Sequence, residues 1–285
     1  MASRAKKNYW LYITKTKIVV KQVFLSADDF GRSPNRNKAI DESFKKGLIK
    51  SAGLIVTGQY LQDAVNYINS GDYVNHVHCH INLSGNVEGE NTQDIPLTDR
   101  MKRDKTFCKE GMFRTFYGIP KSPKYIVKFI KVYKELAAQY NKFLEITGGK
   151  GNRNHIDFHL WYNLFWPTAV ALNIFTLTHR IKSVRYIGIH HEHHPKKLYR
   201  IIRKFSWNPF VSSYHSSNID GFLSKPEWFD KYKSFELYCH PDSVDGKLLD
   251  NSISYFGNEK QLLETNIELL KENQEIELVS WADEE

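Results

Sequence analysis

The sequence has few cysteines and lacks the long apolar segments that membrane proteins and secretory signals carry. Only Cys79, Cys108 and Cys239 occur in 285 residues, and their wide spacing does not make a disulfide framework. No apolar run approaches the ~20 residues of a transmembrane helix. Residues 1–17 are basic but have no sustained apolar stretch and no small-residue cleavage site, so we expect no secretory signal. These absences favour a reducing compartment, and we predict a cytoplasmic protein.

The sequence also lacks nucleic-acid-binding motifs, internal repeats and low-complexity linkers. Its formal net charge of +8 arises from 40 Lys and Arg against 32 Asp and Glu. These basic residues are scattered along the chain rather than gathered into a recognisable binding element. The charge suits an anionic partner without requiring one. We therefore expect neither a nucleic-acid partner nor a membrane partner.

Strand-like and helix-like patterns alternate along the chain, and 41% hydrophobic residues suffice for a sizeable core. The predicted strands are Ile18–Leu25, Leu54–Thr57, His76–Leu83, His155–Leu160, Ile181–Ile189, Phe235–Cys239 and Ile276–Trp281. The predicted helices are Asn35–Ile49, Leu61–Ile68, Pro123–Leu144, Pro167–Thr178 and Asn258–Lys271. Repeated strand–helix units of this kind predict a single parallel α/β barrel. We place the barrel domain at residues 21–285, after a basic N-terminal extension at residues 1–20.

Polar side chains that can bind metals lie near the ends of four predicted strands. These are Asp28 and Asp29 after the first strand, His80, the group His155, Asp157 and His159, and His240. Active sites of parallel barrels collect at the C-terminal ends of the strands. The recurrence therefore predicts a metal site with a neighbouring base, although an isolated Asp-Asp pair is more often an exposed turn.

Other histidines have simpler interpretations. A lone histidine on a strand is more often structural than a ligand, and we assign His76 and His78 to that class. His155 could instead bond a loop carbonyl. The run from His190 to His194 has no apolar frame and precedes Pro195, so we predict a solvated loop.

Four separated motifs resemble those of the YdjC/ChbG-type carbohydrate deacetylases, in the same order. They are Ala27-Asp28-Asp29-Phe30-Gly31, His80-Ile81-Asn82-Leu83, His155-x-Asp157-x-His159 and Cys239-His240-Pro241. The resemblance runs from about Val23 to Trp281. The chain departs from the family at Trp161 and Asn163, where further histidines are usual, and in about twenty extra N-terminal residues.

The resemblance implies a single distorted TIM-type (β/α) barrel of the glycoside hydrolase/deacetylase type. It implies hydrolysis of N-acetyl groups on amino sugars or chito-oligosaccharides with a divalent cation. By position, the metal ligands would be Asp29, His80 and His159. Asp28 would be the general base and His240 the general acid. Residues Asp157 and His155 would lie behind the ligands, with Asp157 orienting a ligand histidine.

The resemblance also bears on the cofactor and the assembly. Magnesium is the cofactor usually attributed to the family, whereas one carboxylate and two imidazoles suit zinc, cobalt or manganese by ligand type. The expected substrate is an N-acetylated carbohydrate, and a homodimer is expected by resemblance alone.

Two alternatives remain open at the level of sequence. The first is a metal-dependent hydrolase of another bond, such as a phosphoester or a glycoside. A single carboxylate base beside the metal argues mildly against a retaining glycosidase, which needs two carboxyl groups flanking the bond. The second is a non-catalytic carbohydrate-binding barrel. The presence of both Asp28 and His240 counts against it, because binding alone requires no base and no acid.

Overall fold

A parallel β-sheet carries the predicted site residues. The computed structural model describes residues 20–83, 97–99, 124–159, 166–185, 215–223, 234–251, 261–272 and 276–283. The sheet strands are β1 (Lys21–Phe30), β2 (Ser51–Leu54), β3 (Val77–Ile81), β4 (Asn152–Phe158), β5 (Ser183–Val184), β6 (His215–Asn218), β7 (Ser234–Cys239) and β11 (Ile276–Val279). Their order is β5-β4-β3-β2-β1-β7-β6, with β11 also paired to β1.

A second, antiparallel sheet and six helices complete the described fold. The smaller sheet has three strands, β8 (Pro241–Val244), β9 (Lys247–Asp250) and β10 (Gln261–Leu262). The helices are α1 (Pro34–Lys45), α2 (Leu61–Ser70), α3 (Lys124–Ile146), α4 (Trp166–His179), α5 (Ile219–Leu223) and α6 (Leu263–Lys271). A 3₁₀ turn at Val74–His76 precedes β3.

Strand β1 is the centre of the sheet because it pairs with three neighbours. It lies beside β7 on one side, and beside β11 and then β2 on the other. Every residue from Val23 to Phe30 is buried. A parallel strand that is covered on both faces is expected to be almost continuously apolar. The acidic pair Asp28 and Asp29 at its C-terminal end is therefore exceptional.

The helices are placed by their apolar faces and by their caps. Helix α1 starts where Ser33 accepts a bond from the backbone N–H of Arg36, and Pro34 occupies its first turn. Helix α3 packs against α4, with Leu136 and Phe143 on one helix and Phe175 on the other in the buried core. Helix α1 contacts β1 and helix α3 contacts β3, so these two helices pack on the strands that carry the predicted site residues.

The structure confirms the predicted α/β class with a parallel sheet, which curls into a half-barrel. Among the described residues, the edge strands β5 and β6 do not pair with each other. Closure into a complete TIM-type barrel stays a prediction. The division into an extension at residues 1–20 and a domain at 21–285 also stays a prediction, and residues 1–19 lie outside the described part. No described helix combines the length and apolarity needed to cross a bilayer.

Several predicted strands have different bounds in the structure: the one expected at Ile181–Ile189 is Ser183–Val184 among the described residues, and the first two predicted strands also differ. The first was expected to end at Leu25, whereas β1 continues through both aspartates to Phe30. These carboxylates stay in the strand because interior cations neutralise them. The second was expected at Leu54–Thr57, whereas β2 is Ser51–Leu54 and the apolar residues Ile55 and Val56 are buried after it. Small residues in a strand give little sequence signal.

Candidate active site

The end of β1 directs two consecutive carboxylates into the interior. Adjacent residues of a regular strand point to opposite faces. Here the pairing of β1 with β2 shifts register between Ala27 and Phe30, and Asp29 has a positive φ of 70°. Asp28 is 4% exposed and Asp29 is 2% exposed. The strained backbone conformation of Asp29 lets the side chains of both Asp28 and Asp29 reach the same polar cluster.

Asp29, His80 and His159 form a triad in which the structure brings together three of the predicted residues. The Asp29 Oδ1 atom lies 2.7 Å from His159 Nδ1 and 3.4 Å from His80 Nε2. The segment after β4 is fixed on β3 because the His159 N–H donates to the Ile81 carbonyl at 2.8 Å. Beneath the triad, a Cβ at Gly53 would lie 3.0 Å from the His80 imidazole. Glycine at this position therefore makes room for the ring.

Asp157 lies behind His80 and fixes its ring. Its Oδ1 atom is 2.5 Å from His80 Nδ1, and its Oδ2 atom is 3.0 Å from His78 Nε2. Because Nδ1 of His80 is engaged by Asp157, Nε2 is the nitrogen that faces Asp29. This carboxylate–histidine arrangement is the one that orients ligands in metal sites. The structural role predicted for His78 agrees with its complete burial against Asp157.

His155 lies deeper in the interior, away from the triad. Its Nδ1 atom is 2.8 Å from the Ser183 hydroxyl, and its ring stacks on Trp281 at 4.1 Å between centroids. The Nε2 atom is 3.3 Å from Glu236 Oε1. Burial lowers the pKa of His155, which outweighs the opposing effect of Glu236. A neutral ring held in this way supports the cluster from below.

Arg185, directly after β5, is an interior residue that sequence analysis missed. It contacts three carboxylates, Asp28 Oδ2 at 2.5 Å, Asp157 Oδ2 at 2.7 Å and Glu236 Oε1 at 2.6 Å. One guanidinium therefore ties together β1, β4 and β7. Burial would lower the pKa of Arg185, but the Asp157, Asp28 and Glu236 carboxylates raise it well above its usual value. Sequence analysis placed Arg185 inside the strand expected at Ile181–Ile189, whereas the observed strand ends at Val184.

Arg32 and Arg36, which sequence analysis also missed, lie beside the triad. Arg36 Nη1 is 2.7 Å from Asp29 Oδ2. Arg32 Nη1 is 3.6 Å from the same oxygen and 2.5 Å from His159 Nε2. Both arginines are buried. They follow the acidic pair by three to eight positions, yet nothing in the sequence distinguishes them from solvated residues.

The interior charges change how the triad titrates. Burial alone would raise the pKa of Asp29, but His159, His80 and Arg36 hold it well below its usual value. Burial alone would lower the pKa of His80, but Asp157 and Asp28 raise it to about 10. The pKa of His159 is lowered, chiefly by burial and also by Arg32. The metal-free triad therefore combines an aspartate, a protonated His80 and a neutral His159.

The triad is a chemically suitable donor set for a divalent cation. One carboxylate and two imidazoles present ligand atoms within 4.8 Å of one another, and all three residues are buried. Three protein ligands are the number typical of catalytic metal sites, which keep a further position for water or substrate. Two further groups, which share Asp157, also have ligand atoms within 4.8 Å of one another. One consists of His78, His155 and Asp157, and the other of Asp28, His80 and Asp157. In these groups Arg185 already neutralises Asp157.

Asp28 and His240 have different surroundings. One Asp28 oxygen is bonded to Arg185, and the other, Oδ1, is buried without a hydrogen-bond partner among the described residues. His240 directly follows β7 and is partly exposed, and its backbone N–H donates to Asp250 at 2.9 Å. Cys239 is in register with Ala27. The two predicted catalytic residues thus follow adjacent, paired positions of neighbouring strands.

Several predicted features lie outside the described residues. These are Trp161 and Asn163, the histidine run 190–194, and Cys108. The other two cysteines, Cys79 and Cys239, are buried and not disulfide-bonded.

Comparison with known proteins identifies the family of the chain. A family model described as "YdjC-like protein" matches residues 22–284. The chain belongs to the YdjC-like family. This confirms the resemblance that the four sequence motifs predicted. The match includes every residue of the triad and of the polar cluster around it.

Curated relatives of this YdjC-like protein are named as carbohydrate deacetylases. A carbohydrate deacetylase 2 from Listeria innocua is 26% identical over 92% of this chain and 98% of the relative. A chitooligosaccharide deacetylase from Escherichia fergusonii is 23% identical over 82% and 86%, respectively. A carbohydrate deacetylase from Xenopus laevis is 29% identical over 48% of this chain, and the match spans only 42% of that relative.

A solved structure shares the fold. A protein from Enterococcus faecalis, described as a cellobiose-phosphate cleavage protein, superposes with a TM-score of 0.64 over 92% of this chain and 98% of its own. The sequences are 17% identical, so this likeness concerns the fold alone.

Proposed function

We propose that this YdjC-like protein is a metal-dependent hydrolase that removes N-acetyl groups from amino sugars or chito-oligosaccharide-like substrates. The observation that carries the proposal is the buried triad of Asp29, His80 and His159 beside the second carboxylate, Asp28. Relatives named as carbohydrate deacetylases support the same substrate class. A scaffold that only bound sugars would gain nothing from burying these ionisable groups together.

In this proposal Asp29, His80 and His159 hold the cation, with Asp157 fixing the ring of His80. A divalent cation bound there would polarise the acetamide carbonyl and favour deprotonation of water. By the family resemblance we place magnesium first. The donor set of one carboxylate and two imidazoles also suits zinc, cobalt and manganese.

We assign the role of general base to Asp28. Hydrolysis joins a water oxygen to the acetamide carbon, breaks the carbon–nitrogen bond and leaves acetate and an amine. Asp28 Oδ1, which has no hydrogen-bond partner among the described residues, is suited to accept the proton of the attacking water. Arg185 bonds the other oxygen and so fixes the carboxylate.

We assign the role of general acid to His240, which would protonate the departing sugar nitrogen. Support comes from its place after β7, where Cys239 is in register with Ala27, the residue before Asp28. His155 would support the base indirectly through Glu236 and Arg185. The complete proposal also includes a closed distorted TIM-type barrel, a cytoplasmic location and a homodimer.

The direct test is a screen for acetate release from N-acetylated mono- and oligosaccharides. Each reaction is run with the purified protein, with and without a chelator, and free amine is measured alongside acetate. We expect equal amounts of acetate and amine from at least one substrate, only when metal is present. Release of phosphate or of a free sugar would instead favour hydrolysis of another bond. No product across the screen from metal-loaded protein would favour a binding function.

A further inference from the structure

Arg32 places a permanent positive charge at the position where the proposed cation would bind. Its Nη1 atom lies against the His159 ring, 2.5 Å from Nε2 and 3.2 Å from Nδ1, and Nδ1 is also 2.7 Å from Asp29 Oδ1. Both ring nitrogens of His159 are therefore in contact with other side chains. A cation that binds this histidine must displace one of these contacts. The positive charge of Arg32 also repels the incoming cation.

The charges next to the triad make this competition strong. Asp29 is contacted by two guanidinium groups, Arg36 at 2.7 Å and Arg32 at 3.6 Å. Arg32 is only 2% exposed, so water and salt screen its charge poorly. Interaction between charges at such distances is several-fold stronger in a protein interior than in water. A dication entering beside Asp29 would therefore be repelled by both guanidinium groups.

We propose that Arg32 is an internal competitor for the metal site. In the metal-free protein its guanidinium holds Asp29 and His159 together, and it must leave His159 before a divalent cation binds. The side chain would thereby set the affinity of the triad for metal. This inference rests on the proposed identity of Asp29, His80 and His159 as the metal ligands.

The test measures metal binding itself rather than turnover. Chelator-treated protein is titrated with Co²⁺ by calorimetry, and the visible absorption of the bound ion reports the ligand environment. We expect Arg32→Leu and Arg32→Gln to bind Co²⁺ at least about tenfold more tightly than the unmodified protein. The glutamine variant keeps a polar side chain, and so covers the case in which leucine prevents folding.

Arg153→Leu is the matched control. Arg153 lies at the start of β4, at the opposite end of the strand from His159, and its guanidinium bonds the Gly149 carbonyl at the surface. The substitution Arg153→Leu removes the same charge from the chain as Arg32→Leu. We expect its Co²⁺ affinity to stay within about twofold of that of the unmodified protein.

The outcomes separate this inference from the proposed function. Unchanged affinity in both Arg32 variants, with Co²⁺ bound and the visible band present, would overturn the role of Arg32 and leave the metal triad intact. Absence of Co²⁺ binding in every protein would overturn the triad, and the role of Arg32 with it.

Discussion

A single backbone irregularity gives Asp28 and Asp29 different surroundings although they are neighbours in the sequence. The register shift of β1 and the positive φ of Asp29 turn both carboxylates inwards. Asp29 then meets His80, His159 and Arg36, whereas Asp28 meets Arg185. This difference is the physical basis for proposing one residue as a ligand and the other as a base.

Substitution of Asp28 by asparagine tests that division. The amide keeps the shape of the side chain but cannot accept a proton at neutral pH, so we expect turnover to fall by about 10²-fold or more. Metal content should remain unchanged, because Asp28 is not part of the proposed triad. Acetate release and metal analysis on the same preparation measure the two effects.

Asp72→Asn provides the control for this substitution, since Asp72 is exposed after α2. We expect it to retain full turnover. Retained turnover in Asp28→Asn would refute the base assignment. Loss of metal together with turnover would instead indicate the group of Asp28, His80 and Asp157 as the ligand set.

The raised pKa of His80 predicts how the stability of the metal-free protein depends on pH. The pKa is about 10 in the folded protein against about 6.5 in an unfolded chain. Protonation of His80 therefore stabilises the fold fully below pH 6.5, and this contribution is lost as the pH rises towards 10. With chelator present, the free energy of unfolding should fall by up to about 1.4 kcal/mol per pH unit between pH 7 and 9.

Denaturant unfolding of the chelated protein across that range measures the slope. His80→Asn removes the titrating ring, and its slope should be distinctly smaller over the same range. Equal slopes in the two proteins would show that His80 does not retain its proton in the interior, and would contradict the charge distribution described for the triad.

Helix α3 holds backbone segments near the site through two polar side chains on its buried face. Gln139 accepts from the Asn82 N–H at 2.9 Å and donates to the Asn82 carbonyl at 2.7 Å. One turn earlier, Glu135 accepts from the backbone N–H groups of Leu97 and Thr98. The helix thus fixes the chain directly after β3, two residues beyond His80.

Gln139→Leu should destabilise the protein, since it removes the amide that bonds both the N–H and the carbonyl of the buried residue Asn82. We expect a loss of about 2 kcal/mol in the free energy of unfolding. Denaturant unfolding compares it with Gln62→Leu, an exposed position on α2 whose amide donates to the Asn66 side chain. That control should change stability by no more than about 0.5 kcal/mol. Equal losses in the free energy of unfolding at the two positions would contradict the claim that Gln139 fixes the backbone at Asn82.

Sequence patterns located most of these elements because their periodicities are strong. Helix α3 was expected at Pro123–Leu144 and lies at Lys124–Ile146, and the strand expected at Phe235–Cys239 lies at Ser234–Cys239. The small antiparallel sheet of β8, β9 and β10 was not predicted. Its strands have two to four residues, which is too short for an alternating pattern to be recognised.

For the molecule as a whole, sequence analysis singled out most of the acidic and imidazole groups of the site, but it missed Glu236 and the arginines. The strand-end pattern indicated a wider set of carboxylates and histidines, and the family resemblance selected Asp29, His80 and His159 from it as the ligands. The chain has 40 lysine and arginine residues, and such side chains are mostly exposed in proteins. Only the three-dimensional arrangement shows that Arg32 and Arg185 are buried against the acidic and imidazole groups.

Acidic and basic side chains are buried together throughout the site. The carboxyl groups are those of Asp28, Asp29, Asp157 and Glu236, and the guanidinium groups are those of Arg32, Arg36 and Arg185. Because the pKa of His80 is raised to about 10 in these surroundings, a divalent cation that binds its imidazole must displace a proton.

The most direct measurement of the proposed function is acetate release before chelation, after chelation and after return of a divalent cation. One N-acetylated sugar is used throughout, with protein-bound metal measured at each stage. We predict that release stops when the metal is removed and returns with magnesium, zinc, cobalt or manganese. Acetate release that continues unchanged in protein with no bound metal would contradict the central claim of metal-dependent deacetylation.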